Sequence, residues 1–421
     1  MASRLICYYG DDFTGSTDAL EALAASGVDT VLFLDPPNEQ RMSAFPNCRA
    51  IGVAGDSRSR SPEWMTENLP GIFQQLRDYG APIVHYKVCS TFDSSPQTGS
   101  IGRVLEIGWK VFGMRAIPIV VAAPHLQRYV LFGNLFAAGA GSIHRIDRHP
   151  TMAAHPVTPM DEADLRLHLA KQTNLRIALL DIRAVDGESS EIALEKLRRE
   201  DPDAVLFDGL GERSLSRTGR LLWTRRPPGT SFAIGSSGLN HALIRQWRED
   251  GLIGTQPSPP PAAGVDRLLV VSGSCSPVTE GQICRAMNRG FVGVRIEEGA
   301  FDRAQNALAN GHSVVLFTAL GPADRGRLAG GDELGRTLGI MLRDLLLRSG
   351  VRRAVVAGGD TSSHAVRQLG IHALTFRALM TPGAPLCSAH SDDPAIDGLE
   401  LVLKGGQVGP EDFFAMVQRG R

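Results

Sequence analysis

Two adjacent carboxylates, Asp11 and Asp12, stand in the run "YYGDDFTGSTDALE", between a short apolar stretch and one with apolar residues at helical spacing. Residues 5–9 read as a buried strand and 16–26 as a helix that stops at Gly27. Residues 10–15 are therefore a strand-to-helix loop, the place where open α/β sheets bind ligands. Neighbouring carboxylates repel one another unless a cation or a hydroxyl-bearing ligand uses them. Two more polar loops follow apolar runs. "VAGDSRSRSP" brings Asp56, Ser57, Arg58 and Arg60, and "VHYKVCSTFDSS" brings Lys87, Ser90, Thr91 and Asp93. An arginine fork for a carboxylate, hydroxyls for sugar OH groups and carboxylates to orient a reacting hydroxyl suit a small polyhydroxy acid.

A different chemistry recurs towards the C-terminus. "VVSGSCSPVTEGQ" carries Ser274 before a helix with Thr279 and Gln282. "VVAGGDTSSHAVRQLG" carries Gly358, Gly359, Asp360 and Thr361, and "LVLKGGQVG" carries Lys404, Gly405 and Gly406. Glycines let a phosphate approach the backbone, and the free N–H groups at a helix start attract anions. Lys404 adds a point charge beside those amides, while Asp360 with Thr361 suits a hydrated Mg²⁺. Neither the P-loop GxxxxGK[ST] nor the dinucleotide GxGxxG occurs in these loops, which removes support for both of those nucleotide-binding modes.

Other constellations are weaker. His144, His149 and His155 share a Pro-containing stretch that matches no zinc spacing. Gly235-Ser236-Ser237-Gly238 is not a GxSxG elbow. Asp11-Asp12 lacks the D-x-D spacing that would set two carboxylates on one side of a strand end.

These loops need scaffolds. At 421 residues the chain is long for one core, and "GTQPSPPPAAG" (254–264) is extended by its prolines. Short, continuous apolar runs alternate with amphipathic stretches such as 161–172 and 336–348 on either side of it. The expected fold is α/β, with two three-layer-type α/β domains, 1–253 and 265–421, joined by that Pro-rich linker. A formal net charge of -1 gives no electrostatic case for nucleic acid. Six scattered cysteines without a CxxC pair read as buried free thiols. The start "MASRLICYYGDD" lacks the shape of a signal peptide, and no apolar run reaches the ~18 residues of a membrane span. A cytoplasmic protein without a membrane partner is the expectation. α/β enzymes of this size are often dimers, so a homodimer is compatible with the sequence.

The motifs "GDDFTGSTDALE", "DSRS", "YKVCST", "HPVTPM", "IGSSGL", "SGSCSPVTEGQ", "AGGDTSSHAVRQLGI", "TPGAPL" and "LKGGQVG" occur in the order seen in the four-carbon acid sugar kinases, which the chain resembles over nearly its whole length. The resemblance implies an N-terminal acid-sugar domain and a C-terminal ATP domain, with phosphoryl transfer to the terminal hydroxyl of threonate, erythronate or an oxo-tetronate. Its substrate-side matches are Asp12 with Asp11, Arg58, Lys87, Ser90 and Thr91. Its ATP-side matches are Ser274, Gly358, Gly359, Asp360, Thr361 and Gly406, with Mg²⁺ near Asp360. On this reading Asp12 deprotonates the attacking hydroxyl, Asp11 stands second to it, and closure across the linker excludes water. Family members often read K-x-D-S-T-L-R-G-N where this chain has Lys87-Val88-Cys89-Ser90-Thr91-Phe92-Asp93-Ser94-Ser95. The exchange removes one carboxylate and one cation from a sugar-acid pocket, and it suggests a divergent substrate, for example a branched acid sugar such as 3-oxo-isoapionate. Two rivals differ in class. A non-catalytic sugar-acid sensor needs no phosphate loops, and a nucleotide-dependent oxidoreductase needs the missing dinucleotide fingerprint.

Overall fold

The computed structural model describes residues 3–139, 141–155, 157–254, 261–324 and 331–421, without the side chains of 331, 332, 360 and 361. The chain forms two compact units. The first comprises Met1–Asp11, Ser26–Asp29 and Pro36–Thr255, and the second comprises Asp12–Ala25, Thr30–Asp35 and Gln256–Arg421. The sequence-drawn division at 254–264 assigned residues 12–25 and 30–35 to the N-terminal domain, whereas by compactness they group with the C-terminal part. The chain therefore passes between units after Asp11, Ala25, Asp29 and Asp35 as well as at the linker, of which 255–260 lie outside the described residues.

Strands are numbered along the chain. In the first unit they are β1 (Ile6–Gly10), β3 (Ala50–Ala54), β4 (Ile83–Lys87), β5 (Ile117–Val120), β9 (Ile177–Leu180), β10 (Ala204–Phe207) and β11 (Ser231–Gly235). β2 (Thr30–Phe33) belongs to the second unit. The first-unit sheet has the order β3-β1-β4-β11-β5-β10-β9, and every pairing in it is parallel. Every residue of β1, β3, β4, β10 and β11 is buried. Continuous apolar runs without alternation produce this result because helical crossovers cover both faces of a parallel sheet. Phe73, from the helix Pro62–Asp78, packs edge-on against Tyr9 and Tyr86, whose rings stack at 5.8 Å. A separate antiparallel sheet of β6 (Arg128–Leu131), β7 (Asn134–Gly139) and β8 (Ser142–Arg145) was not anticipated from the sequence.

The second unit contains β12 (Leu269–Ser272), β13 (Val292–Arg295), β14 (Val314–Phe317), β15 (Arg353–Ala357), β16 (Ile371–Thr381), β17 (Ala384–Ser391) and β18 (Glu400–Lys404). A parallel β13-β14-β12-β15-β18 core continues through antiparallel β17, β16 and β2. In both units the strand order reverses around one early strand, β1 in the first and β12 in the second. That reversal opens a crevice at the carboxyl ends of the strands.

Helix α1 (Phe13–Ala24) starts earlier than its apolar periodicity suggests. Asp12 caps it, accepting a hydrogen bond from the Gly15 N–H, so Thr14 and Gly15 are first-turn residues rather than loop. The expected helix at 161–172 shrinks to Leu165–Ala170, and that at 336–348 extends to Gly331–Ser349. All six cysteines are free. Cys7, Cys48 and Cys387 are buried, Cys89 and Cys275 half-buried, and Cys284 is exposed, contrary to the expectation that all are buried. No helix among the described residues is long and apolar enough to cross a membrane.

Candidate active site

In the first unit, the ends of β1, β3 and β4 are tied to one another by backbone hydrogen bonds. The Gly55 N–H donates to the Gly10 carbonyl at 2.9 Å, the Asp11 N–H to the Lys87 carbonyl at 2.9 Å, and the Arg58 N–H to the Asp11 carbonyl at 3.0 Å. The chain after each strand is therefore brought to the same crevice. It carries Asp11 (buried), Arg58 and the segment from Lys87 to Asp93, so the substrate-side residues of this unit come together.

Their electrostatics differ from a set of free loop charges. The Arg58 guanidinium donates to Asp93 Oδ2 at 2.6 Å. Asp93 also accepts hydrogen bonds from Thr91 Oγ1 at 2.5 Å and from Thr158 Oγ1 at 3.0 Å. Burial alone would push the Asp93 carboxyl up, but the Arg58 charge and these hydrogen bonds overcome it and hold the group below its ordinary value of 3.8. Thr158 is in turn fixed by His155, whose Nδ1 accepts from the Thr158 N–H at 3.1 Å. Neither Thr158 nor His155 stood out in the sequence as part of this group, because only the fold brings the loop around residue 158 to Asp93. Thr91 Oγ1 also lies 3.0 Å from Cys89 Sγ. Ser90 is half-buried, and its hydroxyl makes no hydrogen bond among the described residues. Arg60, by contrast, pairs with Asp56 at 2.5 Å and lies over the Trp64 ring.

The floor beneath this loop is neutral and buried. His85 bonds the Gly235 carbonyl at 3.0 Å, and burial pushes its pKa down to about 3. Ser94, His168 and Gln172 form a hydrogen-bonded group, and burial lowers His168 to about 4. His144 and His149 serve structural ends, their Nε2 atoms bonding the carbonyls of Gly139 and Ala138. No group of three or more His, Cys, Asp or Glu that could hold a metal ion occurs among the described residues.

In the second unit the three glycine loops follow β12, β15 and β18. Gly358 adopts φ +122°, where a side chain would be strained, and leads into the helix Gly359–Gln368. The side chains of Asp360 and Thr361 lie outside the described residues. A Cβ added to Gly406 would come within 2.6 Å of Ser274 Oγ, so the loops after β12 and β18 are in close contact. Thr14, from the first turn of α1, borders the same loops. A Cβ on Gly359 would sit 4.0 Å from its Oγ1, and one on Gly405 3.8 Å from its Cγ2. That Oγ1 is buried and has no hydrogen-bond partner among the described residues. An unsatisfied hydroxyl beside glycine loops and a helix N-terminus suits an anionic oxygen or its bound cation. Asp12, the other polar residue of that turn, thus falls in the second unit while Asp11 falls in the first.

Two domain profiles match the chain, a sugar-binding N-terminal domain over residues 6–243 and a nucleotide-binding C-terminal domain over 269–414. A 3-oxo-isoapionate kinase from Paraburkholderia graminis is 46% identical over 100% of this chain and 95% of its own. The chain belongs to the four-carbon acid sugar kinase family. A 3-oxo-tetronate kinase from Methylobacterium radiotolerans is 31% identical, covering 96% of each chain. Among solved structures, one of a Salmonella typhimurium LT2 protein described as a tRNA synthase aligns at TM-score 0.79 and 26% identity, over 98% of each chain. This family member is a phosphotransferase acting on a sugar acid. Its α/β architecture and the family assignment agree with the sequence expectation, and the sensor and oxidoreductase readings fall away.

Proposed function

We propose that this kinase transfers the γ-phosphoryl group of ATP to the terminal hydroxyl of a branched 3-oxo acid sugar of the 3-oxo-isoapionate type. The observation that carries the reading is the step in identity, from 28–31% with several 3-oxo-tetronate kinases to 46% with the 3-oxo-isoapionate kinase. The Asp93–Arg58 pair supports it. It converts one strong cation of the sugar-acid crevice into a neutralised, hydrogen-bonding wall better matched to hydroxyl and hydroxymethyl groups than to a second anionic centre.

In this mechanism Lys87 and Arg58 meet the substrate carboxylate. Ser90, whose hydroxyl is available, and Thr91 bond the substrate's hydroxyl and keto oxygens. Asp12 orients the terminal hydroxyl and takes its proton as the bond to phosphorus forms, with Asp11 stiffening the crevice behind it. Asp12 also caps α1, its Oδ1 accepting the Gly15 N–H. The ATP phosphates bind over Ser274, Gly358, Gly359 and Gly406, with Thr14 donating from α1. Asp360 and Thr361 are the residues that would hold a Mg²⁺ ion brought with ATP, and the ion would supply charge neutralisation on the phosphates.

The test is ADP release with Mg-ATP against D- and L-threonate, D- and L-erythronate, the 2- and 3-oxo-tetronates and 3-oxo-isoapionate. Turnover of 3-oxo-isoapionate at least tenfold above the others in kcat/KM is expected. A preference for a tetronate would move the substrate to the unbranched class, and silence across the panel would refute the substrate reading.

A further inference from the structure

Two cations lie fully buried on adjacent strands of the second unit, and they are treated very differently. Arg353 on β15 is satisfied. Its guanidinium donates to Glu400 at 2.6–2.7 Å and to the carbonyls of Val417 and Ala263 at 2.8 Å. Lys404, at the end of β18, is 0% exposed, yet among the described residues its ammonium makes one hydrogen bond, to the neutral hydroxyl of Thr279 at 3.1 Å. A buried ammonium without an anion is costly, by several kcal/mol for an unpaired ion. A site that keeps one has a use for its charge.

The charge lies beneath a phosphate-ready turn. Thr279, itself buried, passes the hydrogen bond on by donating to the Gly406 carbonyl at 2.8 Å. From the same helix, Pro277–Met287, Gln282 Nε2 donates to the carbonyls of Val408, Gly409 and Pro410, each at 3.0 Å. The turn's carbonyls are thus drawn towards the helix. In a trans peptide the C=O and the following N–H point in opposite directions, so the Gln407 N–H faces away from Thr279. The N–H groups of Gly406 and Gln407 donate to nothing among the described residues. Ser274 Oγ lies against Gly406, and Thr14 borders Gly405 with its methyl and Gly359 with its partnerless hydroxyl.

We propose that Lys404 is the buried counter-charge of the nucleotide phosphates and, through Thr279, the residue that turns the amide of Gln407 towards them. The inference rests on the reading that the second unit binds the nucleotide. Burial pushes the Lys404 pKa down to about 7, so the free protein holds its proton weakly, and a bound polyphosphate restores it. Nucleotide binding then takes up a proton above neutral pH. The charged groups on the elements packed against β18 are Asp18 and Glu21 of α1, Arg353 of β15, His390 of β17, and His364 and Arg367 of the helix Gly359–Gln368. Glu280 and Arg285 stand on the helix of Thr279. None of them bonds Lys404, and the Asp360 side chain is outside the described residues.

The experiment measures MgADP dissociation constants and proton uptake by titration calorimetry in buffers of differing ionisation enthalpy, from pH 7.5 to 9. In that range the nucleotide itself no longer titrates. Wild type is expected to weaken about tenfold across the range, with uptake of up to one proton. Lys404→Arg should bind with little pH dependence, because guanidinium stays charged. Lys404→Met should bind at least tenfold more weakly at pH 7.5 without pH dependence, while retaining its fold, since it replaces an unpaired buried charge with an apolar chain. Thr279→Val should weaken binding and keep the pH dependence. A pH-independent wild type, or Lys404→Met binding like wild type, overturns the proposal and leaves the nucleotide reading standing. No MgADP binding by wild type at any pH overturns both.

Discussion

Replacing Asp93 by asparagine preserves the side chain's size and removes its charge, and replacing Arg58 by methionine removes the partner. The pair is made at 2.6 Å between a fully buried carboxylate and a guanidinium that is 26% exposed. Exposed ion pairs contribute about 0–1 kcal/mol, and removing one partner of a fully buried pair costs about 3–5 kcal/mol. Solvent screening at Arg58 lowers the second figure, so we expect a coupling energy of about 2 kcal/mol. Arg58→Met leaves a buried carboxylate with only the Thr91 and Thr158 hydroxyls, and should cost about 3 kcal/mol. Asp93→Asn should cost about 2 kcal/mol, and the double variant clearly less than the sum. The assay is equilibrium urea unfolding of all four proteins at pH 7. It is repeated at low pH, because a carboxyl held below its ordinary value of 3.8 stabilises the fold above that value, and the contribution fades as pH falls below it. A coupling energy under ~0.5 kcal/mol at pH 7 would show that the two groups do not pair in solution, and would refute the neutralised-wall argument. In parallel, Asp93→Asn should free Arg58 and raise the kcat/KM ratio of 3-oxo-tetronate over 3-oxo-isoapionate several-fold.

Three other outcomes are open to measurement. Burial and the nearby Asp18 push the Glu21 carboxyl up to about 8 from 4.5, so it opposes folding increasingly as pH rises through that window; Glu21→Gln should stabilise the protein by up to about 3 kcal/mol at pH 7 and by nothing near pH 4.5, and equal urea curves at pH 7 would contradict this. Gly406→Ala sets a Cβ 2.6 Å from Ser274 Oγ and 3.1 Å from Ser276 Cβ, so isothermal titration should find MgATP bound about tenfold more weakly and the acid sugar bound as before. Asp12→Asn retains a good helix cap and should unfold within about 0.5 kcal/mol of wild type, while turnover drops about 10²-fold or more; near-normal turnover would remove Asp12 from the role of base.

How far the chain can be read without coordinates depends on the range of the interaction involved. The parallel strands of both units were legible because a strand covered on both faces must be apolar throughout, as in "AIGVA", "AVLF" and "VVLF". The polar and glycine loops were legible because they follow those runs directly. β16 and β17 escaped because an antiparallel pair with one wetter face mixes polar residues such as Arg377 into its pattern, and β6–β8 because half-exposed hairpin strands carry a weak signal. Residue types near a strand end are a local property, so Asp11, Asp12, Arg58, Ser90 and Gly406 could be singled out from sequence alone. Partnership is a property of the fold. Arg58 reads as a free cation until Asp93, 35 positions away, is found against it, with Thr158 a further 65 positions on completing the group. Lys404 reads as one more loop charge until burial strips away its water and leaves Thr279 as its partner among the described residues. Sequence determines which groups are present and which local structure carries them. The tertiary structure decides which charges are already spent on one another, because Coulomb and desolvation energies depend on separation in space and exclusion of water, and neither is encoded in spacing along the chain.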